Sequence, residues 1–192
     1  MLPNLGAIMQ HGYVVKNLQE AALEWTTKLG IGPFYSIENL QIEQCHFRNV
    51  QTKLEISVAF AYWGGIQIEL IQQLSDERTL YSEAASNAAG KLNHCATIVD
   101  DIDLLLQRHK LNNRILQSGA MPNGLRFVYL DQYLPGSYHL ELIEAQNSTL
   151  QAFAGMQAVT KAWNGLKPFR PIAALGEDLA ALNQDQVQDE IN

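Results

Sequence analysis

The chain has 192 residues, 47% hydrophobic and 17% charged, enough for one substantial core or two small halves that share one, and not the composition of a disordered segment. A net charge of −7 and the absence of any basic run with interleaved aromatics exclude broad nucleic-acid binding; much of the imbalance lies after Arg170, where Glu177, Asp178, Asp185, Asp189 and Glu190 meet no Lys, Arg or His. No apolar run approaches the roughly eighteen residues of a membrane span, Met1-Leu2-Pro3-Asn4 does not open like a secretory signal, and Cys45 and Cys95 have no metal-ligand spacing, so the sequence reads as cytoplasmic with reduced thiols.

Ile8 to Val15 is β-branched enough for a strand, and Asn17-Leu18-Gln19-Glu20 supplies a helix cap with an acidic residue three positions on. Leu18, Ala21, Ala22, Trp25 and Leu29 recur at helical spacing, and Gly30 is placed to end the helix in a left-handed turn. Strands are expected over 34–38, around 41–50, over 54–63 and over 66–72. Residues 74–92 form a linker with a short helical patch.

The pattern then restarts. His94 to Val99 reads as a strand, Asp100-Asp101 caps a helix carrying Ile102, Leu105, Leu106 and His109 on one stripe, and Arg114 to Leu116, Leu125 to Leu130 and Tyr138 to Glu144 follow as strands. Turns are expected at 119–124 and at Leu134-Pro135-Gly136. Beyond Ala145, Ser148 opens a helix with Ala152, Phe153, Met156, Thr160 and Trp163 on one side, 165–171 is extended, and Leu175, Leu179 and Leu182 mark a last acidic helix. The fold class is therefore α+β: two β-α-β-β-β modules pairing into an open curved sheet, a cup, with C-terminal helices. Residues 1–145 form that domain, with module 1 at about 6–73, the linker at 74–92 and module 2 at about 93–145, and 146–192 are a helical extension.

An internal echo ties the modules together. Gln67-Ile68-Glu69-Leu70-Ile71 returns as His139-Leu140-Glu141-Leu142-Ile143, each an alternating strand whose Glu must find a partner. Module 2 opens with His94, and the matching place in module 1 is Gln10-His11, so two pairs of polar residues can meet at one pseudo-twofold axis. Imidazole and carboxylate are ligands for divalent metals such as Zn, Ni, Co, Fe, Mn or Mg, and four protein ligands leave positions open for water or substrate. A His at a strand start or a Glu in a sheet is, taken alone, more often a hydrogen-bonded structural residue. Two matched His-to-Glu pairings raise the set above that background.

Gln10-His11-Gly12-Tyr13-Val14-Val15-Lys16-Asn17-Leu18, Leu29-Gly30-Ile31-Gly32-Pro33-Phe34, Gln67 to Ile71, His94 to Asp101 and Leu140 to Glu144 together resemble the vicinal oxygen chelate superfamily: glyoxalase I, methylmalonyl-CoA epimerase, extradiol dioxygenases and bleomycin-resistance proteins. The resemblance implies a cup around a divalent metal, frequently in a homodimer, with Glu69, His94 and Glu141 as ligands. The fourth ligand is Gln10 or His11. His94 lies eight residues before Ile102, and eight before Leu18 is Gln10; regular pleating faces Gln10 to the metal, whereas a bulge is needed to turn His11 there.

The resulting expectation is a metal-dependent isomerase, epimerase or lyase acting on a small oxygenated or acyl-thioester substrate, with Glu141 or Glu69 also moving the proton and His139 as a secondary candidate. An acyl-CoA calls for cations at the pocket rim, for which Arg48, Lys53, Lys91, Arg114 and Arg126 are the candidates. The alternatives are a non-catalytic protein of the bleomycin-resistance type that sequesters a flat ligand between Tyr62, Trp63, Phe127 and Tyr129, and, less favoured because Glu69 crowds the metal, an extradiol dioxygenase.

Overall fold

In a computed structural model, residues 5–88, 90–131, 133–134 and 138–189 are described. Module 1 runs β1 (Gln10–Val14), α1 (Leu18–Leu29), β2 (Phe34–Phe47), a short β3 (Val50–Gln51), β4 (Leu54–Trp63) and β5 (Ile66–Gln73). Asn17 caps α1, its side chain accepting from the Glu20 amide, and Gly30 ends it at φ 68°, a left-handed conformation that costs a glycine little. The strands expected over 34–38 and 41–50 are one. β2 carries the chain through left-handed residues at Asn39 and Gln44, with register shifts between Ile37 and Leu40 and between Glu43 and His46, so local irregularity bends a continuous strand.

Helix α2 (Leu80–Ala88) lies in the linker, with the Leu80 amide donating to Gln117 Oε1 at 2.9 Å. Module 2 repeats the order as β6 (Leu92–Ile98), α3 (Ile102–His109), β7 (Ile115–Ala120), β8 (Arg126–Leu130) and β9 (His139–Glu144), with Asp101 capping α3 through the Leu104 amide. β7 extends into the region expected as a turn, because Gly119 and Ala120 pair with Phe127 and Arg126 of β8. Pro135 and Gly136 of the turn expected beside them lie outside the described residues.

The strand order β2-β4-β5-β1-β6-β9-β8-β7 places the two modules side by side through the antiparallel β1–β6 pair. β2 also pairs with β7, through Glu43 with Ala120 and Phe47 with Gln117, so the expected cup curls until its far edges meet. Val14, Ile71, Ala96 and Ile143 point into the enclosed core; Val15, Ile68 and Leu70 pack outward under α1, and Leu140 and Leu142 under α3.

The C-terminal residues are part of this body. Helix α4 (Asn147–Ala162) sends Phe153, Met156 and Val159 into the enclosed core. Strand β10 (Phe169–Pro171) then pairs in parallel with Phe34–Ser36 of β2, and α5 (Leu175–Asp189) follows. The ring of Trp163 occupies the space above Gly32, where a Cβ would stand 2.7 Å from the indole.

Candidate metal centre

The register of the central strands sets the site. β1 runs parallel to β5 with Gln10 opposite Gln67 and Gly12 opposite Glu69; β6 runs parallel to β9 with His94 opposite His139 and Ala96 opposite Glu141. Gln10 therefore occupies in module 1 the place His94 occupies in module 2, and Glu69 the place of Glu141. The β1–β6 pair brings Gly12 opposite His94 and Gln10 opposite Ala96, so all four polar side chains emerge on the inner face of adjacent strands.

They converge. His94 Nε2 stands 3.2 Å from Glu69 Oε2 and 3.1 Å from Glu141 Oε2, with His94 fully buried and the carboxylates 6% and 5% exposed. Among the described residues His94 Nε2 and Glu141 Oε2 are buried without a hydrogen-bond partner. Gln10 is 1% exposed; its Nε2 donates to Gln67 Oε1 at 2.8 Å, Gln67 Nε2 donates to the Tyr62 hydroxyl at 3.1 Å, and Gln10 Oε1 is left free and buried. Orphaned buried polar atoms are rare, and the trio of Glu69, His94 and Glu141 is a group that could hold a metal ion, with Gln10 lining the same cavity as the two carboxylates. One imidazole nitrogen, two carboxylates and an amide oxygen fit a borderline or hard divalent ion.

The surroundings orient the imidazole. His94 Nδ1 lies 3.1 Å from Asn93 Oδ1, which accepts its hydrogen and leaves Nε2 for the carboxylates. Tyr129 packs edge-on against the ring at 5.1 Å, and the Tyr129 hydroxyl meets that of Tyr81 from α2 at 2.9 Å. Burial alone would pull the His94 pKa down, but the Glu141 and Glu69 charges outweigh it and hold it raised to about 9. Burial raises the pKa of Glu69, only partly countered by the neighbouring His94 imidazole.

Gly12 is a residue the sequence reading passed over. A Cβ there would overlap the His94 imidazole, so the ring lies across a bare stretch of β1. A glycine inside a strand is the signal for such a close approach, although it does not name what approaches.

His11 lies elsewhere. Pairing is regular from Gln10 to Gly12, so His11 turns to the face it shares with Tyr13 and Val15; the register shift falls after Gly12, too late to bring it back. His139 lines a separate cavity with Asn93 and Lys91. Tyr62, Phe127 and Tyr129 are core residues, Trp63 is exposed, and none of the four lines the cavity beside the trio. That cavity, of about 220 Å³, is reached by Gln10, Glu69 and Glu141 and walled by apolar side chains including Phe60 and Phe153.

A family model described as the glyoxalase/bleomycin resistance protein/dioxygenase superfamily matches residues 9–129. No curated protein matches the chain. Among solved structures, a hypothetical protein from Bacillus halodurans C-125 is similar at 17% identity with a TM-score of 0.53, over 73% of this chain and 95% of that one. A methylmalonyl-CoA epimerase from Mycobacterium tuberculosis is similar at 16% identity with a TM-score of 0.52, over 79% of this chain and 97% of that one. At such identities the likeness is one of fold.

Proposed function

The chain belongs to the glyoxalase/bleomycin resistance protein/dioxygenase superfamily, and from that premise we propose that it is a metal-dependent enzyme of the glyoxalase or epimerase type, with Glu69, His94, Glu141 and Gln10 as the ligands. The observation that carries this reading is the buried His94 Nε2 held between two buried carboxylates, with the orphaned amide oxygen of Gln10 on a residue lining the same cavity. Two carboxylates and one imidazole in a sheet interior carry a desolvation cost that a divalent ion offsets.

A divalent ion bound there would polarise a substrate carbonyl and stabilise the negative charge left when a neighbouring proton is removed. The chain's own residues handle that proton. Glu69 and Glu141 both reach the cavity, so either carboxylate meets a carbon acid seated in it. Asn93 and Tyr129 hold the His94 ring while this happens, and the apolar walls keep bulk water from quenching the exchange. The reaction class is isomerisation, epimerisation or elimination next to a carbonyl. The two buried free thiols, Cys45 and Cys95, suit the cytoplasm.

Metal analysis of the purified protein should find about one divalent ion per chain, lost in His94→Ala. Glu141→Gln, assayed across carbonyl substrates, should lower turnover by roughly 10²–10⁴-fold with the circular-dichroism spectrum unchanged. Full turnover in that variant refutes the role. The apolar cavity favours a second reading, a protein that sequesters a hydrophobic ligand; a metal-free protein whose melting temperature rises with such ligands selects it.

A further inference from the structure

The metal-side cavity is not walled by the two modules alone. Ser148, Thr149, Ala152, Phe153 and Met156 of α4 and Ile172 after β10 line it, all from the C-terminal segment beyond the repeat. That segment is fixed by the parallel pairing of β10 with β2 and by Asp178, which accepts from the Tyr35 hydroxyl at 2.6 Å and pairs with Arg170 at 2.6 Å.

Charge narrows what the cavity can accept. Among the described residues no Lys, Arg or His lines it, and its two carboxylates balance one divalent ion. The cations expected at a rim are engaged or elsewhere. Arg48 and Lys53 line a different cleft with Arg78, and Arg126 pairs with Asp103 and Glu144. A further carboxylate or phosphate in the cavity would be desolvated without a counter-charge. Size narrows it again: about 220 Å³ is below the ≈ 300–1,000 Å³ typical of drug-sized ligand sites.

We propose that the C-terminal segment is the specificity wall of this site, and that the substrate is a small neutral compound with a carbonyl oxygen at the ligand end and an aliphatic or aromatic body against Phe153 and Met156. This rests on the metal reading above. It sets the site apart from one built for a carboxylated acyl thioester.

The test uses the full chain loaded with Co²⁺ and hydroxamic acids as two-oxygen probes that share one chelating group and differ only in their bodies, with the cobalt absorption spectrum and calorimetry as readouts. Benzohydroxamic acid should bind at least about tenfold more tightly than acetohydroxamic acid, because the phenyl body is buried. Succinic monohydroxamic acid should bind at least about tenfold more weakly than pentanohydroxamic acid, of similar size, because its carboxylate finds no partner. Phe153→Ala combined with Met156→Ala should bring the first ratio below about threefold. Met121→Lys, at a partly exposed lining position, should abolish the penalty on the carboxylated probe. Cobalt binding without either preference overturns this inference alone. A protein that takes up no cobalt overturns the metal reading, and the inference with it.

Discussion

Gly12 has no side chain, and the space one would fill belongs to His94, fully buried and flanked by Tyr129. Gly12→Ala therefore forces the imidazole away from Glu69 and Glu141 or pushes β1 and β6 apart. Either should cost about 1–3 kcal/mol of stability and at least about tenfold in metal affinity, read by denaturant melts and metal titration. Wild-type metal affinity in this variant means the ring has another resting place. Sequence singled out Glu69, His94 and Glu141 through the repeated strands and the family resemblance they carry, and counting from the helix starts gave Gln10 the place in module 1 that His94 holds in module 2. The reason for Gly12 was invisible, since the atom that excludes a Cβ comes from a strand in the other module. The free oxygen of Gln10 was equally hidden, because the Gln67 and Tyr62 hydrogen bonds that orient the amide are tertiary.

At the scale of elements, capping and periodicity were legible. Asn17, Gly30 and Asp101 sit where their chemistry demands, and the helices start and stop on them. The join of two expected strands into β2 was not, since the left-handed Asn39 that falls between them is held in the strand only by tertiary pairing with β4. The destination of α4 and β10 was also open, because an amphipathic helix records that it is covered and not by what. The anchor of that segment is testable. Asp178→Ala strips the partner from the Tyr35 hydroxyl and from Arg170, and an unsatisfied group at that depth costs about 1–3 kcal/mol. Thermal melts should show the loss, and benzohydroxamic acid should bind more weakly to the variant as its wall loosens. A melt unchanged from wild type would mean that β10 alone secures the segment.

Across the whole molecule, the centre links stability to metal and to pH. Burial drags the His94 pKa down, Glu141 and Glu69 more than reverse this, and the net is a rise from 6.5 to about 9; Glu69 is raised as well, by burial. A folded-state value above the unfolded one means that the His94 proton stabilises the metal-free fold, fully so below the ordinary histidine range, and that this contribution fades as pH climbs through about 9; the Glu69 proton contributes fully only below the ordinary carboxylate range and its contribution is lost as pH rises. Metal competes with the same His94 proton, so its affinity should rise by up to about tenfold per pH unit until about pH 9. Since ligand at about 100 times its Kd stabilises by about 2.7 kcal/mol, cobalt in that excess should raise the melting temperature by roughly 5–10 °C for a chain of this length. Scans at fixed metal concentration between pH 6 and 9 should show that increment widening, and a chelator should erase it. A constant increment would place the ion somewhere other than between the His94 imidazole and its two carboxylates. A widening one ties the interior of a closed sheet, where three ionisable groups would otherwise be a burden, to the ion that makes them an asset.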